Sequence, residues 1–254
     1  MTPEREEHRD LDVAGITAVE VATFNGMLAV ECGDESPHLV ASVWSKASYE
    51  VERIGNLLYV RAQKKGLTYA GGGVRLALWL PAGLRCKLAN VGGNIYLHGP
   101  AARADISIVN GAVEVEGIGR GEVRVNSGGA PVRVHGAEGR IAIHLGHGAV
   151  DLARVRGSIE IKTGNGPITI TDTVGQIQIA TGRSDMHLRR ISFAPGTRNW
   201  VKSGGGAIEL AGIAAPGGLR VQMKAGQASF QVDAPGYNVQ REGHQVRATL
   251  AGDN

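Results

Sequence analysis

The chain has 254 residues, a formal net charge of +3, and 43% hydrophobic but only 4% aromatic residues, with 38 glycines. Acidic and basic residues are interspersed rather than clustered, which argues against a nucleic-acid footprint. No apolar run approaches the ~18 residues of a membrane helix, and the few aromatics exclude a bulky globular core.

In chain order, residues 1–12 are too polar for a secretory signal and are expected as a flexible tail, with 3–12 the best helical candidate. Without a signal or anchor, the expectation is a cytoplasmic protein with no transmembrane segment. Residues 13–87 hold strand-like runs at 16–22, 27–32, 39–44, 57–63 and 74–80, loosely spaced. These are expected to begin and cap a stack that continues through 88–254, so that 13–254 forms one domain. Cys32 and Cys86 sit in strand-like stretches, Cys86 just after the last of these runs, without a CxxC or a histidine at ligand spacing. They are expected as buried thiols rather than a zinc site, and their pairing is left open.

From residue 88 the sequence repeats. Gly93, Gly111, Gly129, Gly148 and Gly166 each open a short segment, their numbers rising by 18, 18, 19 and 18. Pro131 is the extra residue in the longer step. A second series at Gly121, Gly139, Gly157 and Gly175 interleaves with it at the same constant interval. Each segment alternates aliphatic and polar residues, the period of a half-buried strand, and glycine-rich corners close it. One such strand has nothing to pack against. Coils stacked ~4.8 Å apart align Ile95, Val113, Val132, Val150 and Ile168 in one inner ladder, opposed by Val123, Ile141, Ile159 and Ile177. The predicted fold is all-β: a single-chain β-solenoid, parallel β-helix-like, about 18 residues per coil, with a strand-rich N-terminal cap. Right-handed crossovers are the rule for parallel strands. The period loosens after Gly175, with Gly182 and Gly206 read as the next members of the first series.

The run from Val74 through Leu80-Pro81-Ala82-Gly83, then 90–99 and the glycine-led coils, resembles the bacterial "putative adhesin" family of β-strand-repeat domains of unknown function. The resemblance spans roughly residues 15–250. It implies a structural or binding solenoid, often attached to the cell envelope, and carries no catalytic motif.

Parallel β-helices also host polysaccharide-acting enzymes, which need paired carboxylates or acidic calcium clusters. The outward columns here read Tyr96, Glu114, Arg133, Asp151, Thr169 and Arg124, Ala142, Glu160, Gln178, with acids separated by bases or neutral residues. No catalytic residue, metal ligand or cofactor is assigned. A column of His98, Glu116 and His135 places the histidines ~9.6 Å apart, too far to share one ion. His144 and His147, near Lys162, are likewise expected on the solvent side. Glycine tracts at 71–73, 164–166 and 204–206 lack the phosphate-loop pattern and are expected as corners.

Between Gly182 and Gly206 the period breaks, and insertions in solenoids map to loops that often bind. Residues 189–202 combine Arg189, Arg190, Arg198 and Lys202 with Phe193 and Trp200, types enriched in interface hot spots. They form the candidate partner-binding site, for a protein or a glycan. Self-assembly through the solenoid ends, as in a bactofilin-like polymer, is the alternative, because open strand edges invite pairing. Charges at Arg241, Glu242 and Arg247 point to blunting of the C-terminal end, while the N-terminal strands look less protected.

Overall fold

A computed structural model describes residues 3–44, 47–64, 73–214, 219–224, 230–233, 237–242 and 245–250. Gly71 and Gly72, read above as corner glycines, lie outside them. All regular elements among the described residues are β-strands, and the chain is a β-solenoid whose parallel strands recur at the expected period. It divides into two units, Met1–Ala130 and Pro131–Asn254.

The first unit contains β1 (Arg5–Asp10), β2 (Ala18–Thr23), β3 (Leu28–Gly33), β4 (His38–Val43), β5 (Ala47–Ile54), β6 (Leu57–Lys64), β7 (Val74–Pro81), β8 (Arg85–Gly92), β9 (Ile95–His98), β10 (Arg103–Asn110), β11 (Val113–Glu116) and β12 (Arg120–Ser127). They make two walls. One runs β1–β4–β7–β3–β9–β11, the other β5–β6–β2–β8–β10–β12. From β7 to β11 and from β6 to β12 every neighbour is parallel. The outer strands β4, β1 and β5 are antiparallel. Leu28, Ile95 and Val113 line up on one inner face, and Val19, Cys86, Ala104 and Val123 on the other, all buried. Burial contributes roughly 1.5–3 kcal/mol for each large aliphatic, offsetting backbone entropy that one coil alone cannot.

The charged start is a strand rather than a tail or a helix. Both faces of β1 carry polar or charged residues, so no hydrophobic alternation announces it. It forms because β4 would otherwise present an unpaired edge, which a charged strand covers without inviting another chain. Tyr49 on β5 donates to Glu7 Oε2 on β1 at 2.6 Å, tying the outermost strands of the two walls together. The N-terminal edges are therefore blunted, contrary to their sequence-based appearance.

The second unit contains β13 (Val132–His135), β14 (Glu138–His147), β15 (Val150–Ala153), β16 (Arg156–Asn165), β17 (Ile168–Arg183), β18 (Met186–Phe193), β19 (Trp200–Ser203), β20 (Ile208–Ala214), β21 (Leu219–Lys224), β22 (Phe230–Asp233), β23 (Tyr237–Glu242) and β24 (Gln245–Leu250). Val132, Val150, Ile168, Met186 and Ile208 stack in one buried ladder, and Ile141, Ile159 and Ile177 in another. At the far end β24 lies antiparallel between β21 and β23.

Two columns of turns define each coil. At the corners an added Cβ on Gly175 would overlap the Gly157 carbonyl oxygen, and one on Gly157 that of Gly139. Only glycine permits the coils to approach so closely. The second column holds left-handed backbone at Gly136, Arg154, Asp172, Arg190 and Gly212. The last step there, from Arg190 to Gly212, is longer than the constant step before it, and the same lengthening separates Met186 from Ile208. Ser184, not Gly182, occupies the corner position beneath Gly206, so the true steps run Gly166 to Ser184, of ordinary length, and Ser184 to Gly206, lengthened. Gly182 instead stacks on Gly164 in a neighbouring column.

Candidate functional site

The four additional residues fall in 194–199, because Phe193 aligns with Gly175 while Trp200 aligns with Gln178. This bulge has its own scaffold. Thr197 Oγ1 donates to the Ala194 carbonyl at 2.6 Å, and Asn199 Nδ2 donates to Thr197 Oγ1 at 3.0 Å. Buried Asn199 accepts the Ile177 amide through Oδ1 at 3.0 Å, satisfying a backbone group that the bulge would otherwise orphan. Gln176 and Gln178 donate to the Arg198 carbonyl at 3.1 and 3.3 Å. The chain thus rejoins the wall in register.

The six candidate residues separate into two groups. Phe193 is fully buried and belongs to the core. Arg190 forms a two-pronged pair with Asp172, with Nη2 to Oδ2 at 2.8 Å. Arg189 Nη2 donates to Glu209 Oε1 at 2.9 Å, and His187 Nδ1 lies 2.8 Å from Glu209 Oε2. Hydrogen bonding to Arg190, helped by the charges of Arg190 and Arg154, holds the Asp172 carboxyl below its ordinary range. Glu209 is lowered too, first by the hydrogen bond with His187 and then by Arg189.

Arg198, Trp200 and Lys202 form the second group, on one outward row. Asn199, Val201 and Ser203 are buried while Arg198 and Lys202 are exposed and Trp200 is half-exposed; for Trp200 and Lys202 this follows from the alternation of β19. Lys202 Nζ sits 5.1 Å from the centroid of the half-exposed Trp200 ring, a cation–π distance. β21 adds Arg220, which sequence reasoning missed, directly beside Trp200. Its signal was legible: buried Leu219 and Val221 on either side force Arg220 outward.

Other polar clusters are cross-strand ladders. Arg103, Asp105, Glu122 and Arg124 interlock on β10 and β12. Glu160 holds Lys162 at 2.6 Å, which lowers its own carboxyl. His98 aligns with Glu116 and, on its other side, with Glu31, whose Oε2 lies 2.8 Å from His98 Nδ1. His135 has Asp151 as its charged neighbour, at 3.7 Å. His38 and Trp79 stack at 4.3 Å on β4 and β7. A cleft of about 800 Å³ opens at the corner formed by Gly166, Pro167, Arg183, Asp185 and 204–207, walled largely by backbone. Cys32 and Cys86 are free, buried and hydrogen-bonded to each other. That bond lowers the Cys32 thiol, while bond and burial raise Cys86.

No three His, Cys, Asp or Glu side chains converge as a metal site among the described residues. No helix there is long and apolar enough to cross a membrane, which says nothing of strands.

No family model and no curated protein matches the chain. Among solved structures it is similar to a "putative cell adhesion protein" from Clostridium sporogenes, at 11% identity and a TM-score of 0.41, over 58% of this chain and 98% of that one. It is also similar to a "putative adhesin" from Parabacteroides merdae, at 11% identity and a TM-score of 0.34, over 91% and 96% of the two chains.

Proposed function

We propose that this chain is a non-catalytic, adhesin-like scaffold that binds a partner at the cell envelope through the outward surface around Trp200. The observation that carries the reading is the grouping of Arg198, Trp200, Lys202 and Arg220 on a wall held in register from both sides. Rigid strands present these groups with little ordering left to do on contact, which favours affinity. The resemblance of residues 74–99 to adhesin repeats supports the same reading. The ion-paired outward ladders fit a solvated scaffold better than a set of acids and bases poised for glycoside chemistry.

The test compares the whole chain with a Trp200→Ala, Arg198→Ala double variant for cosedimentation with purified cell envelopes. Thermal unfolding verifies that the variant folds. A tenfold or greater loss of binding is expected, on the order of a hot-spot pair. Equal binding by the folded variant overturns the reading.

End-to-end assembly is a second reading, favoured by one observation. Among the described residues β23 pairs only with β24 and so forms an edge. Growth of light scattering with concentration supports assembly; a constant monomer mass rejects it.

A further inference from the structure

We propose that the Trp200 surface binds an acidic polysaccharide, with Arg198, Lys202 and Arg220 taking its carboxylate or sulfate groups and one sugar ring lying against the indole. The proposal rests on the binding-scaffold reading above and specifies the ligand class of that same surface.

The charge pattern along the wall carries it. One coil before Gln178 and Ala180, the equivalent positions are Glu160 and Lys162, a neutralised pair at 2.6 Å. One coil beyond, the same positions become Trp200 and Lys202, and then Arg220 and Gln222. The acid is gone after Glu160, the Gln178–Ala180 coil is neutral, and cations then return at Lys202 and Arg220 with no acid beside them in the column. Among the described residues Arg198, Lys202 and Arg220 have no carboxylate within ion-pair distance, and they share that with Arg154, Arg156 and Arg183, whereas Arg133, Arg140, Lys162, Arg189 and Arg190 in the same unit each have one; what sets the first three apart is that they gather around one indole. Cations grouped on one face with no described carboxylate beside them attract an anion, and Arg takes carboxylate or sulfate oxygens in a two-pronged fashion.

The geometry suits a chain of sugars. Trp200 and Lys202 are alternate residues of β19, so their side chains emerge about 6.8 Å apart along the strand, Arg220 adjoins Trp200 about 4.8 Å across it, and Arg198 stands at the end of the bulge just before the strand. Charged groups therefore flank an apolar plate on several sides, as required by a ring with C–H faces and charged substituents. The flanking Gln178, Ala180 and Gln222 supply no further apolar area. A protein partner would need a desolvated apolar centre larger than one indole. Single-stranded nucleic acid would need several stacking platforms along a longer basic track.

The test is affinity electrophoresis of the whole chain through gels containing polygalacturonate or dextran sulfate, with neutral dextran and single-stranded DNA as comparison polymers. The variants are Trp200→Ala, the triple Arg198→Gln, Lys202→Gln, Arg220→Gln, and Arg133→Gln as a distant charge control. Wild type and Arg133→Gln are expected to be retarded by the acidic polysaccharides, less so as salt rises, and not by neutral dextran. The triple variant should lose about tenfold in affinity, and Trp200→Ala a comparable amount with the salt dependence retained. Three results overturn the proposal: no retardation of wild type by either acidic polysaccharide, equal retardation of the triple variant, or equal or stronger retention by DNA. Loss of envelope binding in the Trp200→Ala, Arg198→Ala variant without any acidic-polysaccharide binding would remove the ligand class and leave the scaffold reading standing.

Discussion

Arg190 lies one coil beyond Asp172, both in left-handed backbone with φ of 53° and 52°, and their side chains meet in a two-pronged ion pair. Arg154, one coil before, holds φ of 54° and completes a +/−/+ column over a strained bend. Asp tolerates this conformation better than most residues, and Arg tolerates it poorly. The Arg154→Gly variant is therefore expected to be more stable by roughly 0.5–1 kcal/mol, seen as a higher urea midpoint.

Replacing Asp172 by Asn keeps the backbone tolerance and removes the charge. In the folded chain this carboxyl sits below its ordinary 3.8, so its contribution is present above that value and disappears as pH falls through the folded value. Wild type should exceed the Asn variant in urea midpoint near neutrality, with the gap closing in acid. A gap that persists at the lowest pH would assign the effect to something other than the ion pair.

Tyr49 titrates in the opposite sense. Burial, then its hydrogen bond to Glu7, pushes the phenol up to about 12, because ionisation would set two negative groups together. Its contribution to the cap is present below the ordinary value of 10 and is lost as pH rises through about 12. Absorbance titration should find a phenol that ionises late, and Tyr49→Phe should remove that component.

Glycine substitutions rank steric exclusion added to backbone strain above strain alone, since Gly175 has φ of 145° as well as a blocked Cβ. Gly175→Ala forces a Cβ into the Gly157 carbonyl and is expected to cost about 3 kcal/mol or more. Gly196→Ala meets nothing within 4 Å but has φ of 69°, and should cost about 1 kcal/mol. Gly33→Ala meets neither obstacle and should stay within about 0.5 kcal/mol. Thermal or urea unfolding of the three variants checks the ranking.

Removing residues 1–10 uncovers the edge of β4, whose alternating Leu39, Ala41 and Val43 are buried. Association that increases with concentration is expected for the shortened chain by light scattering, because an unpaired apolar edge recruits strands. A monodisperse shortened chain would show that β1 is not the guard of this end.

The inner ladders were legible because burial and alternation repeat together: Ile95 with Val113, and Val150 with Ile168, follow from counting one period along the chain. The same count links Arg190 to Asp172, so one of the candidate cations could have been recognised as paired. It fails where a polar residue takes a corner, as at Ser184, since serine gives no turn signal of glycine's strength. Pairing of β2 with β8 and of β3 with β9 was illegible for another reason. Alternation tells which face is buried but not which distant strand lies alongside. Trp200 stood out by type, whereas its surroundings depended on a register that only the lengthened coil defines.

The four residues added between Phe193 and Trp200 leave Ile191 over Thr173 and Val201 over Ile179, so both flanking strands keep their partners. A length change absorbed so locally makes this corner a graft point. Segments of other lengths or chemistries can replace 194–199 without new instructions for the stack, provided an Asn199-like side chain still occupies the Ile177 amide. Lineages with this fold can accordingly diversify what they touch at one corner while inheriting the ladders unchanged.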